Sequence, residues 1–294
     1  MLWGRPRASG FLLAMTLLTA FPLNVTQPRG SAPPLNVTQP RGSAPPLNVT
    51  QPRGSAPPLS VTPAGGSAPS RRAAGAAMAW APVIGLLLGA LAAGVLELAS
   101  RFGHTGPLLA AALAVATLAA GSRGLHLDGL ADLADGLASR RPADQALEIM
   151  KRSDIGPFGV VTLVFALLIQ VAALAQAQSL GRGVAAAVAA AVAGRLSLTW
   201  ACRRGVPAAR GSGLGAMVAG TVNPLIPIAL TAAILAGTAA FWPVIAVAIA
   251  AGLASSVVVT IWAVRRLGGI TGDVLGALVE ITVTVCLVVT AVRV

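Results

Sequence analysis

Between Gly124 and Gly136 the chain reads GLHLDGLADLADG, and Asp128, Asp132 and Asp135 in it are three of only nine acidic residues among 294. At about 100° per residue, the i, i+4, i+7 spacing sets Asp132 roughly 40° to one side of Asp128 and Asp135 roughly 20° to the other. On a helix all three carboxylates therefore share one face. Like charges in so narrow an arc repel, and removing them from water beside lipid is costlier still, so the pattern calls for a cation. Oxygen-only donors, with no histidine at i+3 or i+4 and no cysteine nearby, suit a hard cation such as Mg²⁺ better than zinc. Mg²⁺ keeps waters and bridges to a substrate's phosphates, which points to phosphoryl transfer on a diphosphate. The plainer reading is a solvated helix face balancing Arg123, Arg140 and Arg141. Apolar residues fill the opposite positions regularly in an acid-poor chain, and that favours a functional site.

Asp154, which precedes Ile155 and Gly156 at the start of an apolar run, either caps a helix or joins the metal ligands. On a continuous helix His126 lies roughly 160° from Asp128, so proton transfer and packing are both open for it. Glu148 and Arg152 form an i, i+4 pair in the favoured order, as do Glu97 and Arg101. Near the carboxyl end, RRLGGITGD combines Arg265 and Arg266 with Gly268, Gly269, Gly272 and Asp273. Closely spaced glycines let backbone N–H groups approach a phosphate, the arginines pair with its oxygens, and Asp273 is a further metal or substrate ligand. Arg195, alone in an apolar run, needs a partner or an anion, and the loop ARGSGLGAM offers donors beside Arg210. Glu280, at membrane depth, is a functional candidate by default. His104 reads as structural, and Cys202 and Cys286, in apolar stretches without metal-ligand spacing, read as core residues.

The elements that must hold these residues are membrane helices. Hydrophobic residues make up 55% of the chain and charged residues 10%, which excludes an ordinary soluble domain. Net charge is +12, yet the arginines are scattered between apolar segments without aromatic interleaving, so nucleic acid is not the partner. The partner implied is the lipid bilayer. The expected fold is an all-α, polytopic helix bundle of about seven spans: Ala77 to Ala99, Pro107 to Gly121, Gly156 to Ala177, Val184 to Cys202, Leu225 to Ala240, Trp242 to Val264 and Val274 to Val292. Residues 1–22 hold a short apolar segment, too short to cross and so re-entrant or interfacial. Residues 23–70 repeat LNVTQPRGSAPP with a period of 12 and read as a disordered linker. Residues 71–294 then form a membrane catalytic domain. Loops 122–155, 203–222 and 265–273 fall on one side and hold Arg123, Arg140, Arg141, Lys151, Arg152, Arg203, Arg204, Arg210, Arg265 and Arg266. The other side holds only Arg101, Arg182 and Arg293, so the acidic side is cytoplasmic.

GLHLDGLADLADG, with ALEIM and an IG-x-x-G turn after it, resembles the cobalamin synthase family, the adenosylcobinamide-GDP ribazoletransferases. RRLGGITGDVLGA, PVIGLLLG at Pro82 to Gly89 and, loosely, FLLAMTLLTAFPL extend the resemblance over nearly the whole chain outside the repeats. It implies a Mg²⁺-dependent enzyme of the bacterial plasma membrane, active on the cytoplasmic side, which joins adenosylcobinamide-GDP to α-ribazole or its 5′-phosphate and releases GMP. By position, Asp128, Asp132 and Asp135 would hold metal and diphosphate, with Asp273, Gly268, Gly269 and Gly272 as a second element. The base would be an aspartate or His126. Where the family pattern runs roughly IM-x-DSR-x-G, this chain has IMKRSDIG, with acid and base exchanged between Arg152 and Asp154. A CDP-alcohol phosphatidyltransferase is the nearest alternative, but its DG-x-x-AR pattern is broken by Asp132 after Ala131. An ion-coupled transporter is less favoured, because most of the acids lie in a loop.

Overall fold

The computed structural model describes Ala14, residues 70–103 and residues 105–293. The amino-terminal segment apart from Ala14, the repeat linker apart from Ser70, and His104 lie outside the described residues. Among those described, the chain is helical throughout, with two isolated β-bridges in loops. In order the helices are α1 Arg71–Phe102, α2 Pro107–Gly121, α3 Leu125–Ala138, α4 Ala143–Ile149, α5 Pro157–Ser179, α6 Gly183–Ala201, α7 Gly213–Val218, α8 Leu225–Ala239, α9 Pro243–Leu267 and α10 Gly272–Thr290.

Five of these, α1, α5, α6, α9 and α10, are long and apolar enough to cross a membrane. Helices α2 and α3 pass the same test only together, and they are bent by 87° at the break between them. Helix α8 has 15 residues, about 22 Å at 1.5 Å per residue, against a hydrocarbon core of about 30 Å. The sequence-based count of seven thus resolves into five long crossings, one bent pair and a short helix. Large apolar side chains on the outside, such as Leu91, Phe165, Leu168, Val247 and Val258, form the belt expected of a lipid-facing surface.

The alanine-rich helix α6 is the buried centre, packed against α1, α9 and α10. Small residues make this possible: a Cβ on Gly85 of α1 would stand 2.5 Å from the Ala191 carbonyl oxygen of α6. Without a hydrophobic force between helices in lipid, such close backbone contact is what holds them together. Cys202 and Cys286 are buried free thiols, as expected. Glu97 and Arg101 form the expected pair at 2.6 Å. The Glu148–Arg152 pair does not form, because α4 ends at Ile149 and carries Arg152 off the helix.

The three loops assigned to one side do meet at one end of the bundle. Arg203 bridges Val222, Ala208 bridges Ile270, and Arg71 at the start of α1 donates to the Ala219 carbonyl at 2.9 Å. Arg266 donates to the carbonyl of Arg141, which ties the loop after α9 to the loop after α3.

Candidate functional site

Helix α3 carries the acidic row. Gly124, at φ 73°, and Arg123, at φ 55°, occupy the left-handed region at the break, which ends α2 and turns the chain sharply into α3. One face of α3 packs on the start of α10. A Cβ on Gly129 would lie 2.7 Å from the Asp273 carbonyl oxygen, and one on Gly276 would lie 3.1 Å from the His126 backbone. This contact brings Asp273 to the aspartates of α3.

Asp128 is exposed, and Asp132 and Asp273 are half-buried. Burial and then the charges of Asp128, Asp273 and Asp135 push the Asp132 carboxyl up to about 7, and Arg210 pulls it the other way. The repulsion read from the sequence is therefore present, with Asp273 as an additional member. Asp273 is held by Arg210, Nη1 to Oδ2 at 3.4 Å, and by the Thr271 hydroxyl at 3.2 Å. Arg210 also donates to the Leu147 carbonyl at 2.5 Å, and its Nε is buried without a partner.

Asp135 is differently employed. Its Oδ2 accepts from Gly156 N–H at 2.7 Å and its Oδ1 from Gly159 N–H at 2.9 Å, so it caps the start of α5 from another helix. The cap that the sequence allowed for Asp154 comes from Asp135 instead, and Asp154 is exposed. Its signal in the sequence was the IG-x-x-G turn itself, whose two glycine N–H groups need an acceptor and leave room for one.

The glycine-rich loop also divides. Gly268, at φ 82°, closes α9 with its N–H on the Val264 carbonyl. Gly269 lies against the backbone of 207–209, where a Cβ would stand 2.5 Å from the Pro207 oxygen. Gly272 is the glycine at the site, beside Asp273. Arg265 is exposed, and Arg266 is occupied with Arg141.

Arg195, a substrate-binding candidate for which the sequence left a partner or an anion open, is placed in the bundle core, 2% exposed, with its Nε unpartnered. It lines a small gap with Glu280 and Gln170, and Gln170 donates to Glu280 at 2.9 Å. Of this polar cluster the sequence singled out Arg195 and Glu280 separately and missed Gln170, an uncharged residue inside an apolar run. His126 is 7% exposed and its Nδ1 has no partner.

Two cavities adjoin the acidic row and share Leu214, Gly272 and Asp273. One, of about 170 Å³, is lined by His126, Asp128, Asp273 and Leu125, with Met78, Leu198 and Leu275 as an apolar floor. The other, of about 230 Å³, is lined by Arg210, Ser212, Gly213, Gly215 and Thr271. Among the described residues no three carboxylate, imidazole or thiol groups stand together as a preassembled metal cage. The donors of Asp128, Asp132 and Asp273 are oxygen only, with Asp132 pushed up by burial and by its neighbours' charges, and oxygen donors are the type that a hard cation shared with a phosphate takes.

A family described as Cobalamin-5-phosphate synthase matches residues 57–291. An adenosylcobinamide-GDP ribazoletransferase from Frankia casuarinae is 45% identical over 243 residues, covering 75% of this chain and 86% of the relative. Proteins of the same name from Nocardioides sp. and Rhizobium etli are 40% and 38% identical, over 74% and 71% of this chain and 87% and 84% of theirs. No solved structure matches the chain. With an acidic helix, an arginine-bearing loop and a family match spanning both, the chain belongs to the Cobalamin-5-phosphate synthase family.

Proposed function

We propose that this chain is the membrane enzyme that transfers adenosylcobinamide phosphate from adenosylcobinamide-GDP to α-ribazole or its 5′-phosphate, releasing GMP. The observation that carries the reading is the grouping of Asp128, Asp132 and Asp273 with Arg210 paired to Asp273, which sets anionic donors beside a guanidinium at one end of a membrane bundle. That is the arrangement a diphosphate with a bound divalent cation requires.

In this reading Asp128, Asp132 and Asp273 would hold Mg²⁺ together with the diphosphate. When bound, the ion supplies charge neutralisation on the phosphorus and on the leaving GMP. Arg210, beside Asp273, orients the phosphate oxygens. A free ribose hydroxyl of the acceptor, one present in both α-ribazole and its 5′-phosphate, attacks the phosphorus on the cobinamide side, a new P–O bond forms, and the P–O bond to GMP breaks. The acceptor's proton passes to an aspartate of the row or to His126. Asp135 anchors α3 to α5 and so keeps the row in register with α10. The site faces the cytoplasm of a bacterial plasma membrane, in keeping with the arginine-rich loops that surround it.

Membranes carrying the protein, supplied with adenosylcobinamide-GDP, α-ribazole and Mg²⁺, should release GMP in step with formation of the ribazole-containing product. The reading falls if no GMP appears while a CDP-alcohol substrate is turned over. Leaving out Mg²⁺ should stop the reaction.

A further inference from the structure

The two cavities beside Asp273 differ in chemistry. The smaller holds two carboxylates, no lysine or arginine, and a floor of leucine and methionine. With its carboxylates engaged by the cation of the transfer reading, what it leaves to a ligand is the apolar floor, which suits a flat ring system. The other shares Asp273 but adds Arg210, Ser212 and two further glycines, Gly213 and Gly215, which suits phosphate. Size separates them from the corrinoid as well. A cavity of about 170 Å³ is below the roughly 300–1,000 Å³ that a drug-sized molecule occupies, so it takes one fused ring system and little more.

Resting on the transfer reading above, we propose that the cavity floored by Met78, Leu198 and Leu275 is the acceptor subsite. The flat aromatic base lies on the apolar floor and the ribose hydroxyl end points at Asp128 and Asp273. His126 lines this cavity, and its buried Nδ1 has no protein partner. A buried polar nitrogen without a partner is costly, and a ring nitrogen or ribose hydroxyl of the ligand satisfies it. Leu125, 53% exposed, stands at the rim, where the base enters from the membrane surface. The donor's phosphates then occupy the Arg210 side, and Asp273, common to both cavities, marks the line along which the acceptor oxygen meets the phosphorus.

Steady-state kinetics on the full chain in membranes, varying each substrate in turn, tests this. Leu198→Phe fills the floor and should raise KM for α-ribazole about tenfold or more, with KM for adenosylcobinamide-GDP little changed. Leu198→Ala enlarges the floor and should improve an acceptor with a bulkier tricyclic base relative to α-ribazole. Leu125→Trp, at an exposed position where folding is not at stake, should also raise KM for α-ribazole alone, and it decides the matter if the Leu198 variants do not fold. Equal shifts in both KM values, or no shift for the acceptor, overturn the assignment. Calorimetric titration of α-ribazole into wild type and Leu125→Trp separates the two readings. If wild type binds α-ribazole and the variant does not, yet neither releases GMP, the cavity stands and the transfer falls. If both bind alike, the cavity assignment is wrong whatever the turnover.

Discussion

Asp135 and Gly159 are joined across the α3–α5 contact by a 2.9 Å hydrogen bond, while the other carboxylate oxygen takes Gly156 N–H at 2.7 Å. One acid of the row therefore fixes the helix that bears the others. Asp135→Asn leaves one of the two N–H groups facing an amide donor, and hydrogen bonds to charged groups contribute about 1.5–3 kcal/mol each. The variant should unfold at a lower temperature in detergent. Gly159→Ala should do the same, since its Cβ would stand 2.4 Å from Asp135 Oδ2. Unchanged melting of both would show that the cap contributes nothing to stability.

Asp132→Asn should behave in the opposite way. It removes a carboxylate crowded by Asp128, Asp273 and Asp135. GMP release should be lost, while membrane insertion is kept and the melting temperature is equal or higher. An active Asp132→Asn enzyme would return the row to a solvated face.

Gly129 is the point where α3 touches α10. A Cβ there meets the Asp273 carbonyl at 2.7 Å and its Cα at 3.0 Å, both backbone atoms that cannot swing aside. Gly129→Ala should shift the row away from Asp273 and lower kcat by about tenfold or more, since small misplacements at reacting groups are costly. Wild-type kcat in this variant would mean that the α3–α10 spacing is not limiting.

Arg210 is a fork between Asp273 and the Leu147 carbonyl. Lysine keeps the charge but cannot span both with one ammonium. Arg210→Lys should raise KM for the diphosphate donor and leave that for α-ribazole near its wild-type value, which parallel saturation curves would reveal.

Deleting residues 24–69 should cost little activity. Ser70 is kept because its hydroxyl accepts from Ala73 N–H at the start of α1. Loss of GMP release in a deletion variant that still inserts would assign the repeats a role in turnover.

The sequence carried the acidic face, because a helix repeats and i, i+4, i+7 aspartates must share a side. It carried the meeting of three loops at one end, because arginines sort by membrane side. It did not carry partners set by packing. Asp135 reaches glycines 21 and 24 residues away, and Gln170 reaches Glu280 across 110 residues. The need of Arg195 for company was legible, but the company was not: whether it met a phosphate or Glu280 depended on which face α6 buries. Glu148 and Arg152 failed for a local reason, since the helix that would have paired them stops too early.

The 87° turn between α2 and α3 has a consequence for how charge meets the bilayer. Helix α2 packs beside the crossing helices α1 and α5. Were α3 its straight continuation, the seven residues from Asp128 to Asp135 would climb about 10 Å along the direction of crossing. Turned almost at right angles, the row becomes a shelf at nearly constant depth. In the transfer reading proposed above, an elongated substrate moving along the membrane would meet Asp128 and Asp132 at one level, and none of its charge would have to descend into hydrocarbon.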